Sequence, residues 1–170
     1  IEIASVVLLM LCLLRCIQHT MQSHLKQGVY FWIAAVLVLF TVIRRELNHL
    51  PDLFIDMQAL WLGHNYDWWE DRLLLVIYII ALGLLIYAWR YCWAVLKTTP
   101  LWLYLSVAAL ALLQYIGENA IGFSHSLGIV VEELSEAVIY LLALGYLWSF
   151  KVAGFEERLE RRLELKEVTH

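Results

Sequence analysis

Apolar residues run along this chain in five long blocks separated by polar punctuation. The blocks fall at about residues 3–20, 28–47, 71–96, 101–121 and 127–154, and each predicts an α-helix. At about 1.5 Å per residue, the longer ones cross a hydrocarbon core of about 30 Å with some tilt. Three connectors, at 21–27, 98–100 and 122–126, are so short that they force antiparallel neighbours. Pro100 suits the first turn of the fourth span, where its missing N–H costs nothing.

The fourth connector, 51–70, is long. Leu53, Met57 and Leu60 share one helical face there, and Trp61, Trp68 and Trp69 follow. That pattern predicts a short helix lying in the membrane interface. Trp89, Trp93, Trp102 and Trp148, with Tyr30 and Trp32, predict the aromatic belt of the opposite interface. From Phe155 to Glu167 the chain is charged and helical in composition, with Phe155, Leu159 and Leu163 on one face and Glu157–Arg161 as an i,i+4 pair. This tail is expected to continue the last span into water as a docking or self-association face. The fold class is therefore an all-α integral membrane bundle: about five transmembrane helices over residues 1–153, the interfacial helix, and an amphipathic tail helix over 154–170.

Composition agrees. Of the 170 residues, 62% are hydrophobic and 16% charged, with a mean hydropathy of +0.71. A soluble domain carries about 25% charged residues and about half apolar ones. So much apolar surface cannot be hidden in a small core, and the lipid bilayer is the partner that solvates it. Basic residues are few and form no stripe interleaved with aromatics, so nucleic acid is not an expected partner. Cys12, Cys16 and Cys92 have no CxxC spacing and sit in apolar stretches, as small buried residues do. Residues 3–14 have the length of a signal-peptide core, but no small-x-small site follows. Arg15 before Cys16 stands where lipoprotein processing needs a small residue.

Charge changes the picture most. Antiparallel spans sort the loops onto two faces. One holds Arg15, Lys26, Arg90, Lys97, Lys151, Arg158, Arg161, Arg162 and Lys166, nine of the 12 basic residues; the other holds only Arg44, Arg45 and Arg72. The positive-inside rule puts the basic face in the cytoplasm, with the N-terminus outside and the C-terminus inside, as in a bacterial inner membrane. Outside the tail, every Asp and Glu falls on the other, acidic face: Glu2, Glu46, Asp52, Asp56, Asp67, Glu70, Asp71, Glu118, Glu132, Glu133 and Glu136, joined by His49, His64 and His125. Glu136 lies about nine residues, or about 13 Å, into the fifth span. An ionised carboxylate at such depth costs about 2.5–3.5 kcal/mol at the bilayer centre, so it demands a partner or a proton. Gln114 lies one turn deeper than Glu118.

The acids resemble, as a ligand pattern, the carboxylate-bridged dimetal bundles, which use a Glu from each of two helices and Glu-x-x-His from two others. Glu46-x-x-His49 matches one unit, Glu133-x-x-Glu136 matches half of another, and Glu70 and Glu118 would be the single ligands. His125, in a loop, would supply the missing imidazole, and a divalent metal is the cofactor such a set would take. Arg44 and Arg45 beside it oppose a cation. The competing reading is structural. Glu132 and Glu133 sit in the first turns of a helix, where the dipole favours negative charge, and Arg44, Arg45 and Arg72 would pair with Glu118, Glu133 and Glu136. Acid–base chemistry at a buried Glu beside His49 or His125 lacks a nucleophile motif, since residues 122–126 do not spell Gly-x-Ser-x-Gly. Haem is not expected, because His19, His24, His49, His64 and His125 sit at span ends or in loops. The basic-face halves of the spans are almost bare of polar residues, so conduction by this chain alone is not expected either.

The expectation is an accessory or assembly subunit of a larger membrane complex with an acidic extracytoplasmic pocket. The alternative is a membrane metal-binding protein or metalloenzyme using Glu46, His49, Glu118, His125, Glu133 and Glu136.

Overall fold

A computed structural model describes the backbone of residues 2–47, 66–119, 121–122 and 124–168, and the side chains of 3–47, 68–119, 121–122 and 124–162. Among these residues there are seven α-helices and no strand: α1 (Glu2–Gln22), α2 (Lys26–Glu46), α3 (Tyr66–Tyr87), α4 (Trp89–Thr98), α5 (Leu101–Glu118), α6 (His125–Ser149) and α7 (Val152–Val168). The interfacial helix expected from residue 51 onward, with His49 and His64, lies outside the described residues, and Tyr66–Glu70 belong to the first turns of α3.

Two expected spans are each broken in two. The third span bends by 80° at Ala88, so α3 and α4 are separate helices. No Pro or Gly stands at the break. Its cause is tertiary: Tyr91 and Val95 on one face of α4 are buried, while Trp89, Arg90, Trp93 and Lys97 stay exposed. Laying α4 across the end of the bundle keeps Arg90 and Lys97 wet and sends Tyr91 inward. Lys97 and Trp93 form a cation–π contact at 5.3 Å on the outer side. The fifth span likewise stops at Phe150, whose backbone is extended (φ −74°, ψ 120°). Its ring packs against Trp32, Tyr146 and Phe155. The tail is thus not a continuation of the last span.

α1, α2 and α5 are each long and apolar enough to cross a membrane, and the bent α3–α4 pair would make a fourth such unit. α6 is 25 residues long, but every 18-residue stretch of it holds Glu132, Glu133 and Glu136. The burial pattern is that of a protein with lipid as solvent. On α1, Ser5, Leu9, Cys12, Cys16 and His19 recur at steps of four and three and are buried, His19 completely. Ile3, Val7, Met10, Leu14 and Ile17 point outward, Ile3 at 82% exposure. Small and polar residues inside with large aliphatics outside is how helices associate in a membrane, where burying Leu against Leu gains little over lipid. Here α1 leans on α6: His19 Nε2 lies 2.9 Å from the Leu147 carbonyl and Cys12 Sγ donates to that of Tyr140 at 3.8 Å.

The helices stand in a row. α5 packs on α6, α6 on α1, α1 on α2 and α2 on α3. α3 and α5, the ends of the row, make at most marginal contact with each other among the described residues. An open cleft is left between α2–α3 on one side and α5–α6 on the other. Its middle is an apolar cavity of about 400 Å³ lined by residues such as Cys16, Trp32, Ala35, Leu85, Val107 and Ala143.

Candidate functional site

A close crossing of α5 and α6 sets the acidic end of the cleft. A Cβ on Gly117 would stand 2.7 Å from the carbonyl oxygen of Gly128 and 2.9 Å from the amide nitrogen of Glu132, so only Gly lets α5 and α6 approach this closely. Glu118 follows directly in sequence, and the crossing brings it to the level of Glu132. α2 ends at the same surface with Arg45 and Glu46. Together they enclose a cavity of about 680 Å³, lined by Glu46 from α2, Gln114 and Glu118 from α5, Glu132, Glu133, Glu136 and Tyr140 from α6, and Tyr78 from α3. Val6, Val42, Ile129 and Ile139 supply its apolar wall, and Arg45 is the one basic residue among the described lining residues.

Within this cavity Tyr140 donates a hydrogen bond of 2.7 Å to Glu136 Oε1, one helical turn back on α6. No Lys or Arg lies within ion-pair distance of Glu118, Glu132 or Glu133 among the described residues. Facing carboxylates repel one another, and the repulsion is relieved by protons or by a cation.

The expected site residues therefore divide. Glu46, Glu118, Glu133 and Glu136 share one cavity. Glu70 does not line it: its carboxylate is bound by Arg44 at 2.6 Å, an ion pair that clips the end of α2 to the start of α3. Arg72 lies over the Trp68 ring, 5.2 Å from its centroid, instead of pairing with the deep acids. Of the three arginines expected as structural partners, only Arg45 reaches the cavity. His125 is exposed at the start of α6 and does not line it. His49 lies outside the described residues. Among the described residues no group of three or more His, Cys, Asp and Glu is placed to hold a metal ion. Tyr78 and Tyr140 escaped the reading of the sequence. The i,i+4 step from Glu136 to Tyr140 was visible there; nothing local marked Tyr78.

The opposite end of the molecule holds one further carboxylate, Glu156, which lay hidden in the charge run of the tail. It is buried, at 3% exposure. Its oxygens accept from Ser23 Oγ, from the N–H groups of His24 (2.8 Å) and Leu25 (3.2 Å), and from Tyr91 OH (3.2 Å). Trp32 Nε1 donates in turn to Tyr91 at 3.3 Å. α7 thereby caps the turn into α2, where free N–H groups and the helix dipole favour an anion. A Cβ on Gly28 would collide with Ser23 Oγ, Glu156 and Tyr91. Burial pushes the Tyr91 hydroxyl well above the ordinary tyrosine range, which keeps it a donor. Phe155, expected on an outward docking face, is buried between Tyr91 and Phe150, and Leu159 packs on the same cluster. The Leu163 side chain lies outside the described residues.

The chain matches no family model, no curated protein and no solved structure, so the reading of this site rests on its geometry.

Proposed function

We propose that this chain is an accessory subunit of a larger membrane complex, and that its open row of helices clasps a transmembrane segment of the partner, with a basic side chain of that segment entering the acidic cavity. The observation that carries this reading is the cleft itself. α3 and α5 make at most marginal contact across it among the described residues, its middle is apolar, and one end presents five carboxylates against one guanidinium. Helices that meet lipid on all sides have no use for such a seam. Carboxylates near the hydrocarbon are favourable only when a cation or proton joins them. In this reading α1, α2, α3, α5 and α6 are the five crossings and α4 lies in the interface. The same reading takes the basic residues around α4 and α7 as the cytoplasmic end under the positive-inside rule, in a bacterial inner membrane, with the acidic cavity facing outward.

The test is extraction of the tagged full chain in mild detergent, with a photo-crosslinking residue at Tyr78 or Gln114. A stoichiometric protein is expected to co-purify, to be captured from both positions, and to be lost in a Glu118→Gln/Glu133→Gln variant. A chain that runs alone and crosslinks only to lipid would overturn the proposal. Truncation after Gly154 does not test it, because it also removes Glu156.

One observation favours a second reading. The cavity volume of about 680 Å³ lies in the range of small-molecule sites, about 300–1,000 Å³, so a small cation is an alternative occupant. If that cation is a divalent metal, elemental analysis after gentle purification should find about one equivalent per chain, lost in Glu136→Ala.

A further inference from the structure

A second cavity, of about 480 Å³, opens near the basic end, where the start of α5, the end of α6 and the start of α7 meet. Its wall is apolar: Trp102, Leu141, Leu142 and Gly145 line it. Lys151 and Arg158 line it too, both exposed, and no carboxylate does among its described lining residues. It therefore carries the opposite charge to the acidic cavity. Leu103 and Tyr146 line both this cavity and the apolar one in the middle of the cleft, so its apolar wall continues toward the membrane interior. Gly145 forms part of the floor, and a Cβ there would meet nothing within 4 Å. The recess therefore extends over Gly145 as open space.

We infer that this recess is a binding site for one anionic phospholipid. Its phosphate lies between Lys151 and Arg158, and an acyl chain runs along Leu141, Leu142 and Gly145. A pair of cations at the membrane surface above an apolar groove is what a phosphate joined to acyl chains requires. Cationic pockets between transmembrane helices recognise anionic headgroups in this way. The indole of Trp102, 59% exposed, lines the recess, and indoles prefer the depth of lipid headgroups. A zwitterionic lipid brings its own ammonium to the two cations and gains less. A free phosphate reaches the cations but leaves the groove empty.

The test is native mass spectrometry of the full chain released from detergent with defined lipid added. Phosphatidylglycerol is expected to remain bound as one molecule per chain, and phosphatidylcholine to be retained about tenfold less. Glycerol phosphate, which carries the anion without the chains, should not displace phosphatidylglycerol. Lys151→Gln/Arg158→Gln should lower phosphatidylglycerol retention about tenfold. Gly145→Phe keeps both cations, fills the floor where there is open space, and should abolish retention while the protein stays folded. Equal retention of the two lipids, full displacement by glycerol phosphate, or unchanged phosphatidylglycerol binding in Gly145→Phe would each overturn the assignment.

Discussion

The two ends of this bundle treat carboxylates in opposite ways. At the basic end a single glutamate, Glu156, is buried and accepts from two backbone amides and two hydroxyls. At the acidic end five glutamates line an open cavity, and Glu118, Glu132 and Glu133 have no ion-pair partner among the described residues. The first arrangement is closed: every lone pair has a local reason to be there, and it joins α1, α2, α4 and α7. The second has no such set of donors among the described residues, and under the proposed function a cation from a partner completes it. Depth alone does not distinguish structural acids from functional ones. Whether the protein itself supplies the donors does.

Isosteric neutralisation separates the two ends. Glu156→Gln can keep its carbonyl oxygen on the N–H groups of His24 and Leu25, but its NH₂ then faces Ser23 and Tyr91, whose hydroxyls must reverse from donors to acceptors. The loss of the charge-assisted bonds should cost about 3 kcal/mol. The expected result is a large drop in the apparent Tm in detergent, followed by tryptophan fluorescence. Gly28→Ala attacks the same closure from below by forcing apart Ser23, Glu156 and Tyr91, and should cost about 2 kcal/mol in the same assay. Glu133→Gln, the same chemical change in the open cavity, should alter stability by no more than about 0.5 kcal/mol, and in the stabilising direction because it removes repulsion. Equal losses for Glu156→Gln and Glu133→Gln would erase the distinction between the ends. An intact complex with Glu133→Gln would weaken the proposed role of the cavity without touching that of Glu156.

Much of the acidic end was legible in the sequence, because it needed only span order and direction. Short connectors force neighbouring helices to run antiparallel, so Glu46, Glu118 and Glu133 arrive at one level whatever the details of packing. Which arginine meets which acid was not legible. Arg44 and Arg45 are adjacent and chemically identical, and only the rotation of α2 sends one to Glu70 and the other to the cavity. The breaks at Ala88 and Phe150 were also hidden. Neither carries the Pro or Gly that announces a bend, since both exist to satisfy partners distant in sequence, Tyr91 with Glu156 and Phe150 with Trp32. Glu156 itself looked like one more member of a solvated charge run. Its burial follows from Phe155 beside it, whose apolar ring draws the start of α7 inward.

The contact between Ser23 and Glu156 spans 133 residues of chain. During synthesis the first hairpin enters the bilayer long before the ribosome has made the acid that seals its turn. Until then the amides of His24 and Leu25 can be served only by water at the membrane surface. The turn between α1 and α2 is therefore sealed only once α7 has been made, and a chain cut before α7 leaves it open.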